Sequence, residues 1–131
     1  MGIFHRIFGI SETPKAPGRA WKRKGKDIVV DLDKAGELEQ PGGSVRLEGK
    51  GLRDRILLFK GDDGEFRAFH NKCACAGWRL DHHPGNSIVQ CCTLGRSTYD
   101  YDGNVLKGSA KHAVKTYAVK QDGGKIIIST E

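Results

Sequence analysis

The sequence predicts an all-β, antiparallel domain. Three observations point there: short β-branched or apolar runs recur through residues 27–131, glycine-bearing turns separate them, and no long stretch of helical period follows residue 26. With 131 residues, 37% of them apolar, the chain suffices for one core and is short for two. No run approaches the roughly 20 apolar residues of a membrane-spanning helix, and the 18 glycines and 4 prolines show no collagen-like period, so a soluble folded domain is expected.

The first 26 residues read differently from the rest. Ile3, Phe4, Ile7 and Phe8 have the spacing of a short amphipathic helix, and Pro14, Pro17 and Gly18 then break any helix. Trp21-Lys22-Arg23-Lys24-Gly25-Lys26 follows as a basic run. Seven basic residues face Glu12 alone in this segment, which therefore carries the whole formal charge of +6 and leaves residues 27–131 balanced. The expected organisation is a basic N-terminal arm over 1–26 and a β domain over 27–131. One short basic run with a single tryptophan lacks a folded reading surface, so nucleic acid is not an expected partner. An apolar stripe beside a basic run instead suits an anionic membrane surface or a groove on a partner protein.

Within the domain the expected strands are 28–32, 44–48, 55–60, 65–70, 87–91, 97–101, 115–120 and 125–130. Gly61-Asp62-Asp63-Gly64, Asp102-Gly103-Asn104 and Asp122-Gly123-Gly124 hold the residues that tight turns between such strands require. Leu32–Leu38 is long enough for a turn or two of helix.

All four cysteines fall between positions 73 and 92, in two short stretches: Cys73-Ala74-Cys75-Ala76-Gly77-Trp78-Arg79-Leu80, and, with fifteen residues between Cys75 and Cys91, Cys91-Cys92-Thr93-Leu94-Gly95. Charge inside the apolar N-terminal stretch and the lack of a small-residue cleavage pattern make a poor secretory signal, so a cytoplasmic chain with reduced thiols is expected. That setting favours metal or redox chemistry over a disulfide framework. Two thiol-bearing loops at the tips of adjacent hairpins can bring two ligands each to one point.

These stretches resemble the Rieske iron–sulfur family, whose pattern is Cys-x-His-x-Gly-x-x-Leu, some fifteen to seventeen residues, then Cys-Pro-x-His-Gly. Asn71, Gly77, Leu80 and Gly95 fall in register, and Arg55–Phe59, Phe66–Phe69, Asp102–Leu106 and Tyr117–Val119 match flanking strands and turns. The resemblance spans about residues 27–131. It implies a Rieske-type β sandwich or barrel with a small two-loop cluster-binding subdomain, and an electron-transfer role. In that family one iron takes the two cysteines and the other the two histidines. Here Cys73 and Cys91 match the cysteines, while Cys75 and Leu94 stand at the histidine positions. Leucine has no lone pair, so an ordinary Rieske cluster is excluded; Cys92, at the proline position, is the nearest substitute.

Three arrangements follow. An all-thiolate [2Fe–2S] centre would use Cys73, Cys75, Cys91 and Cys92, against the objection that neighbouring residues of an extended chain point to opposite faces. A cluster-free Rieske fold would keep the cysteines as packed thiols or a disulfide. A mononuclear zinc or iron site of four thiolates would lack the usual Cys-x₂₋₄-Cys knuckle. His82 and His83 read as a surface pair or turn partner, His70 as a donor to loop backbone and His112 as solvated. Ser97 and Thr98 read as ordinary strand polarity, with hydrogen bonds to cluster sulfurs as the alternative. Trp78 shields a redox centre or caps the apolar end of the domain. No nucleophile and base stand at a recognisable spacing, so no catalytic residue is expected. The leading functional expectation is an electron carrier or redox subunit serving a protein partner or host complex. The alternative is an interaction module that docks through its arm.

Overall fold

The computed structural model describes residues 10–74, 77–93 and 97–130. The described residues form strands β1 (Trp21–Lys24), β2 (Asp27–Asp31), β3 (Ser44–Leu47), β4 (Ile56–Lys60), β5 (Phe66–His70), β6 (Leu80–His83), β7 (Ile88–Cys91), β8 (Thr98–Tyr99), β9 (Val105–Lys107), β10 (Thr116–Asp122) and β11 (Lys125–Ser129). Two antiparallel sheets result, a seven-stranded one ordered β1-β2-β11-β10-β5-β4-β3 and a four-stranded one ordered β6-β7-β8-β9. Leu32–Leu38 becomes two short 3₁₀ turns, Leu32–Lys34 and Gly36–Glu39, as its length allows.

β4 explains how the sheets join. Ile56, Leu57, Leu58 and Phe59 are all buried, so this strand is covered on both faces. Its alternation sends Ile56 and Leu58 into an aliphatic core with Ile28, Val30, Leu47, Ile126 and Ile128. Leu57 and Phe59 enter a second core with Phe69, Leu80, Val89, Tyr99, Cys73 and Cys91. The second core seats the smaller sheet against the larger. At the β8–β9 turn, Asp100 Oδ1 accepts from the N–H groups of Asp102 and Asn104, both at 2.9 Å. Gly103 there has φ +87°, and a Cβ would lie 2.2 Å from the Val114 carbonyl oxygen. Only glycine serves at that position.

The expectation of an arm separate from the core fails for residues 13–24. Trp21–Lys24 is strand β1, in register with β2 from Trp21↔Val30 to Lys24↔Asp27. Trp21, Ala20, Ala16 and Thr13 are buried. The Ala16 N–H donates to the Arg46 carbonyl and the Arg46 N–H to the Pro14 carbonyl, both at 2.8 Å, so this segment covers the β3 edge before forming the opposite edge itself. The physical reason is that one large ring and two alanines fill gaps in the core while the intervening lysines and arginine stay in water. The amphipathic stretch Ile3–Phe8 lies outside the described residues. Among the described residues no helix is long and apolar enough to cross a membrane.

Candidate functional site

The first cysteine loop leaves β5 and returns as β6. Arg55, preceding β4, pins its start and end: Nε and Nη2 donate to the Asn71 carbonyl at 3.1 and 2.8 Å, and Nη2 donates to the Gly77 carbonyl at 2.9 Å. The Asn71 side chain crosses the loop, its Oδ1 accepting from the Leu80 N–H at 2.6 Å, while its Nδ2 is a buried donor with no partner among the described residues. The Cys73 N–H donates to the Trp78 carbonyl at 2.7 Å, and Gly77 takes φ +82° to close the turn. Trp78 is 45% exposed.

The second loop leaves β7 at Cys91. Strand pairing places Leu80 opposite Cys91, and the Cys92 N–H donates to the Arg79 carbonyl at 3.1 Å, which locks the two loops together. Cys73, Cys91 and Cys92 are thiols, 1%, 0% and 3% exposed. Cys91 is in hydrogen-bonding contact with both Cys73 and Cys92. The divergence expected of neighbours on an extended strand does not arise, because the chain bends at Cys92 and Thr93 where β7 ends. Hydroxyls flank the thiols: Tyr99 Oη lies 3.3 Å from Cys73 Sγ and accepts from the Ala74 N–H at 3.0 Å, and Thr93 Oγ1 lies 3.1 Å from Cys91 Sγ. The hydrogen bond with Cys91 holds Cys92 below the ordinary thiol range against the opposing effect of burial. Cys91 is pulled down by Cys73, but the bond with Cys92 and burial together push it above that range. Cys75 and Leu94 lie outside the described residues.

Charged groups behind the loops tie them to the larger sheet. Arg79 donates to Glu48 through Nε at 2.7 Å and Nη2 at 3.1 Å, and Arg46 Nη1 donates to Glu48 Oε2 at 3.1 Å. Burial opposes charge on Glu48, yet the two guanidiniums outweigh it and hold the carboxyl below its usual range. Asp81 accepts from Ser11 Oγ and Thr13 Oγ1, both at 2.6 Å, and from the N–H groups of Glu12 and Thr13. The Arg79–Glu48 and Asp81 contacts were not legible in the sequence, since their members are 31 and 68 to 70 positions apart and look like ordinary surface residues.

His82 is not a surface residue. It is 7% exposed and stacks on Phe59 with ring centroids 4.4 Å apart. Its Nδ1 donates to the Gly42 carbonyl at 3.1 Å, which leaves Nε2 to accept from the Tyr101 hydroxyl at 2.8 Å. Both nitrogens are thereby engaged. His83 sits beside Asn86 and His70 Nε2 lies 3.8 Å from Asp54 Oδ1, so these rings have local partners too. His112 is exposed, as expected. Ser97 Oγ accepts from the Ala110 N–H and Thr98 Oγ1 from Gln90 Nε2, the strand polarity that the sequence suggests.

The family model for the Rieske [2Fe-2S] domain matches residues 22–118. This chain belongs to the Rieske family. A curated relative, the glycine betaine monooxygenase oxygenase subunit of Chromohalobacter salexigens, is 30% identical over 84 residues, covering 56% of this chain and 19% of the relative. The chain thus spans about a fifth of that protein's length. Among solved structures, the ferredoxin of carbazole 1,9a-dioxygenase from Nocardioides aromaticivorans superposes with a TM-score of 0.60 at 21% identity, covering 72% of this chain and 93% of that one. The cyanobacterial plasma membrane Rieske protein of Synechocystis gives 0.58 at 22% identity, covering 72% and 92%. Both show the Rieske β fold.

The family's domain carries a [2Fe–2S] cluster, but this Rieske chain does not fit it in its histidine-ligated form. Leu94 replaces one ligand with an aliphatic side chain, and His82, between the two loops in sequence, is committed through both nitrogens. Among the described residues no three His, Cys, Asp or Glu side chains are arranged to hold a metal ion. What the described residues offer instead is a contiguous group of buried thiols.

Proposed function

We propose that this Rieske-family chain is an electron-transfer or redox subunit serving a protein partner, and that its redox site is the cysteine set of the two loops. The finer form of this reading is a nonstandard, all-thiolate iron–sulfur centre held by Cys73, Cys75, Cys91 and Cys92. The observation that carries it is the contact of Cys91 with both Cys73 and Cys92, which gathers sulfurs from two loops at one place. Such a centre, when bound, supplies one-electron transfer, and its four thiolates set the potential toward roughly −400 mV by adding negative charge where imidazole is neutral. The chain's own residues have separate tasks. Tyr99 and Thr93 place hydroxyls beside sulfur, Arg55 and Arg79 lend positive charge near Cys92, and the second core keeps water from Cys73 and Cys91. The ferredoxin and oxygenase-subunit relatives support a protein partner, since both belong to multicomponent redox systems.

Iron and sulfide analysis of anaerobically purified and reconstituted protein, with EPR of the reduced sample, tests the reading. About two irons and two sulfides per chain are expected, with a reduction potential independent of pH near neutrality because no imidazole ligates. Colourless, iron-free protein after reconstitution would leave a cluster-free fold that docks a partner. One zinc per chain would point to the mononuclear site.

A further inference from the structure

Cavities of opposite charge flank the two cysteine loops. Beside the first loop an open cavity of about 450 Å³ is lined by Lys72, Lys115, His70 and His112, and no carboxylate lines it among the described residues. Beside the second loop a cavity of about 450 Å³ is lined by Glu12, Glu37 and Asp81, with no lysine or arginine among the described residues. Residues 27–131 are balanced in sum, so the charge around the loops is segregated rather than in excess. Asp54, 3.8 Å from His70, also pairs with Arg53 at 3.4 Å, which partly offsets its charge at the border of the cationic side. Lys72, His112 and Lys115 are exposed there. A Cβ on Gly77 would lie 3.4 Å from Lys72 Cε, so the lysine stem runs across the first loop, and the exposed Trp78 follows directly in the chain. An exposed indole anchors a protein interface, and charges around it orient the partner.

We propose that the face bearing Lys72, Trp78, His112 and Lys115 is the docking surface for a protein partner that presents acidic side chains, and that the acidic cavity on the other loop repels the same partner and so fixes its orientation. The concave shape favours a protein over a membrane, because projecting carboxylates enter a cavity whereas a headgroup layer presents a plane. Electrostatic complementarity of this kind acts mainly on the encounter rate and on orientation, and it weakens with salt. That the partner is an electron-transfer protein rests on the function proposed above; the sign of its surface does not.

The probe is an oligo-glutamate peptide, titrated into the full-length protein at low ionic strength and followed by calorimetry. The expected result is saturable binding that weakens about tenfold in the double variant Lys72→Glu/Lys115→Glu and stays within about twofold in Lys22→Glu/Lys24→Glu on β1. Bound peptide should also cut acrylamide quenching of the indole fluorescence by about half, a signal that reports on Trp78 because Trp21 is buried. Absence of binding, an equal loss in both double variants, or unchanged quenching would overturn the proposal. Binding to phosphatidylglycerol vesicles that depends on Lys72 and Lys115 would assign the face to a membrane instead, and concentration-dependent self-association lost in the same variant would assign it to a second copy of the chain; either overturns it. Iron analysis after reconstitution separates the two claims: peptide binding without iron uptake keeps the docking face and removes the redox role, whereas iron uptake without peptide binding does the reverse.

Discussion

The first core buries mainly aliphatic side chains against one another, whereas the second, between the two sheets, buries rings and thiols and is bordered by hydrogen-bonded polar groups. Ile28, Val30, Leu47, Ile56, Leu58, Ile126 and Ile128 dominate the first core. The second holds Phe59, Phe69, Tyr99, Cys73 and Cys91, and buried Asn71, His82, Gln90, Ser97 and Thr98 also belong to the strands and loops of that end. An aliphatic core tolerates changes that conserve volume, because nothing in it depends on direction. A polar one depends on each donor keeping its acceptor. The chain therefore carries a forgiving scaffold and an exacting tip, and the tip is where the cysteines are.

Substitutions rank the two regions. Phe59→Ala removes the ring that stacks on His82 and packs edge-on to Phe69, with centroids 5.6 Å apart. It should cost about 3–5 kcal/mol in urea denaturation. If β4 makes the two cores one cooperative unit, near-ultraviolet and far-ultraviolet signals will fall together; separate transitions would break the comparison into two independent folding units. Asp81→Ala deletes the acceptor for four donors from residues 11–13 and should cost about 2–3 kcal/mol, with faster proteolytic cleavage before residue 20 as its signature. Tyr99→Phe leaves the Ala74 N–H without its acceptor, for about 1–2 kcal/mol, and should speed alkylation of Cys73 in the folded protein.

The smallest effect is a pH dependence. Burial depresses the proton affinity of His82 against the partial compensation of the Gly42 carbonyl, and burial acts on His70 in the same direction. The unfolded chain thus binds protons that the folded chain refuses, so stability is full above the ordinary imidazole value of about 6.5 and declines as pH falls below it. A drop in Tm of about 3 °C between neutral and mildly acid buffer is expected, reduced in His82→Gln. An unchanged drop would place its origin elsewhere.

The strands of the larger sheet were readable because they alternate or run apolar between glycine turns. Expected bounds such as 55–60, 65–70 and 125–130 differ by one residue from Ile56–Lys60, Phe66–His70 and Lys125–Ser129. β1 was not readable, since Trp-Lys-Arg-Lys buries only its tryptophan, and neither was β6, where Leu-Asp-His-His alternates only once His82 counts as a ring stacked on Phe59. The cysteine positions were legible from spacing alone. Their mutual contact was not, because it depends on a bend after Cys91 that no periodicity encodes, and on Arg55, a residue sixteen positions before the loop carbonyl it holds.

β1 gives the basic run a purpose unrelated to any ligand. Lys22, Arg23 and Lys24 are exposed along the outermost strand of the larger sheet, whose unpaired backbone groups would otherwise invite a neighbouring chain to add on. At the other border, residues 14–16 already occupy the ladder. Like charges from two molecules repel along that rim, which disfavours edge-to-edge pairing of two copies there.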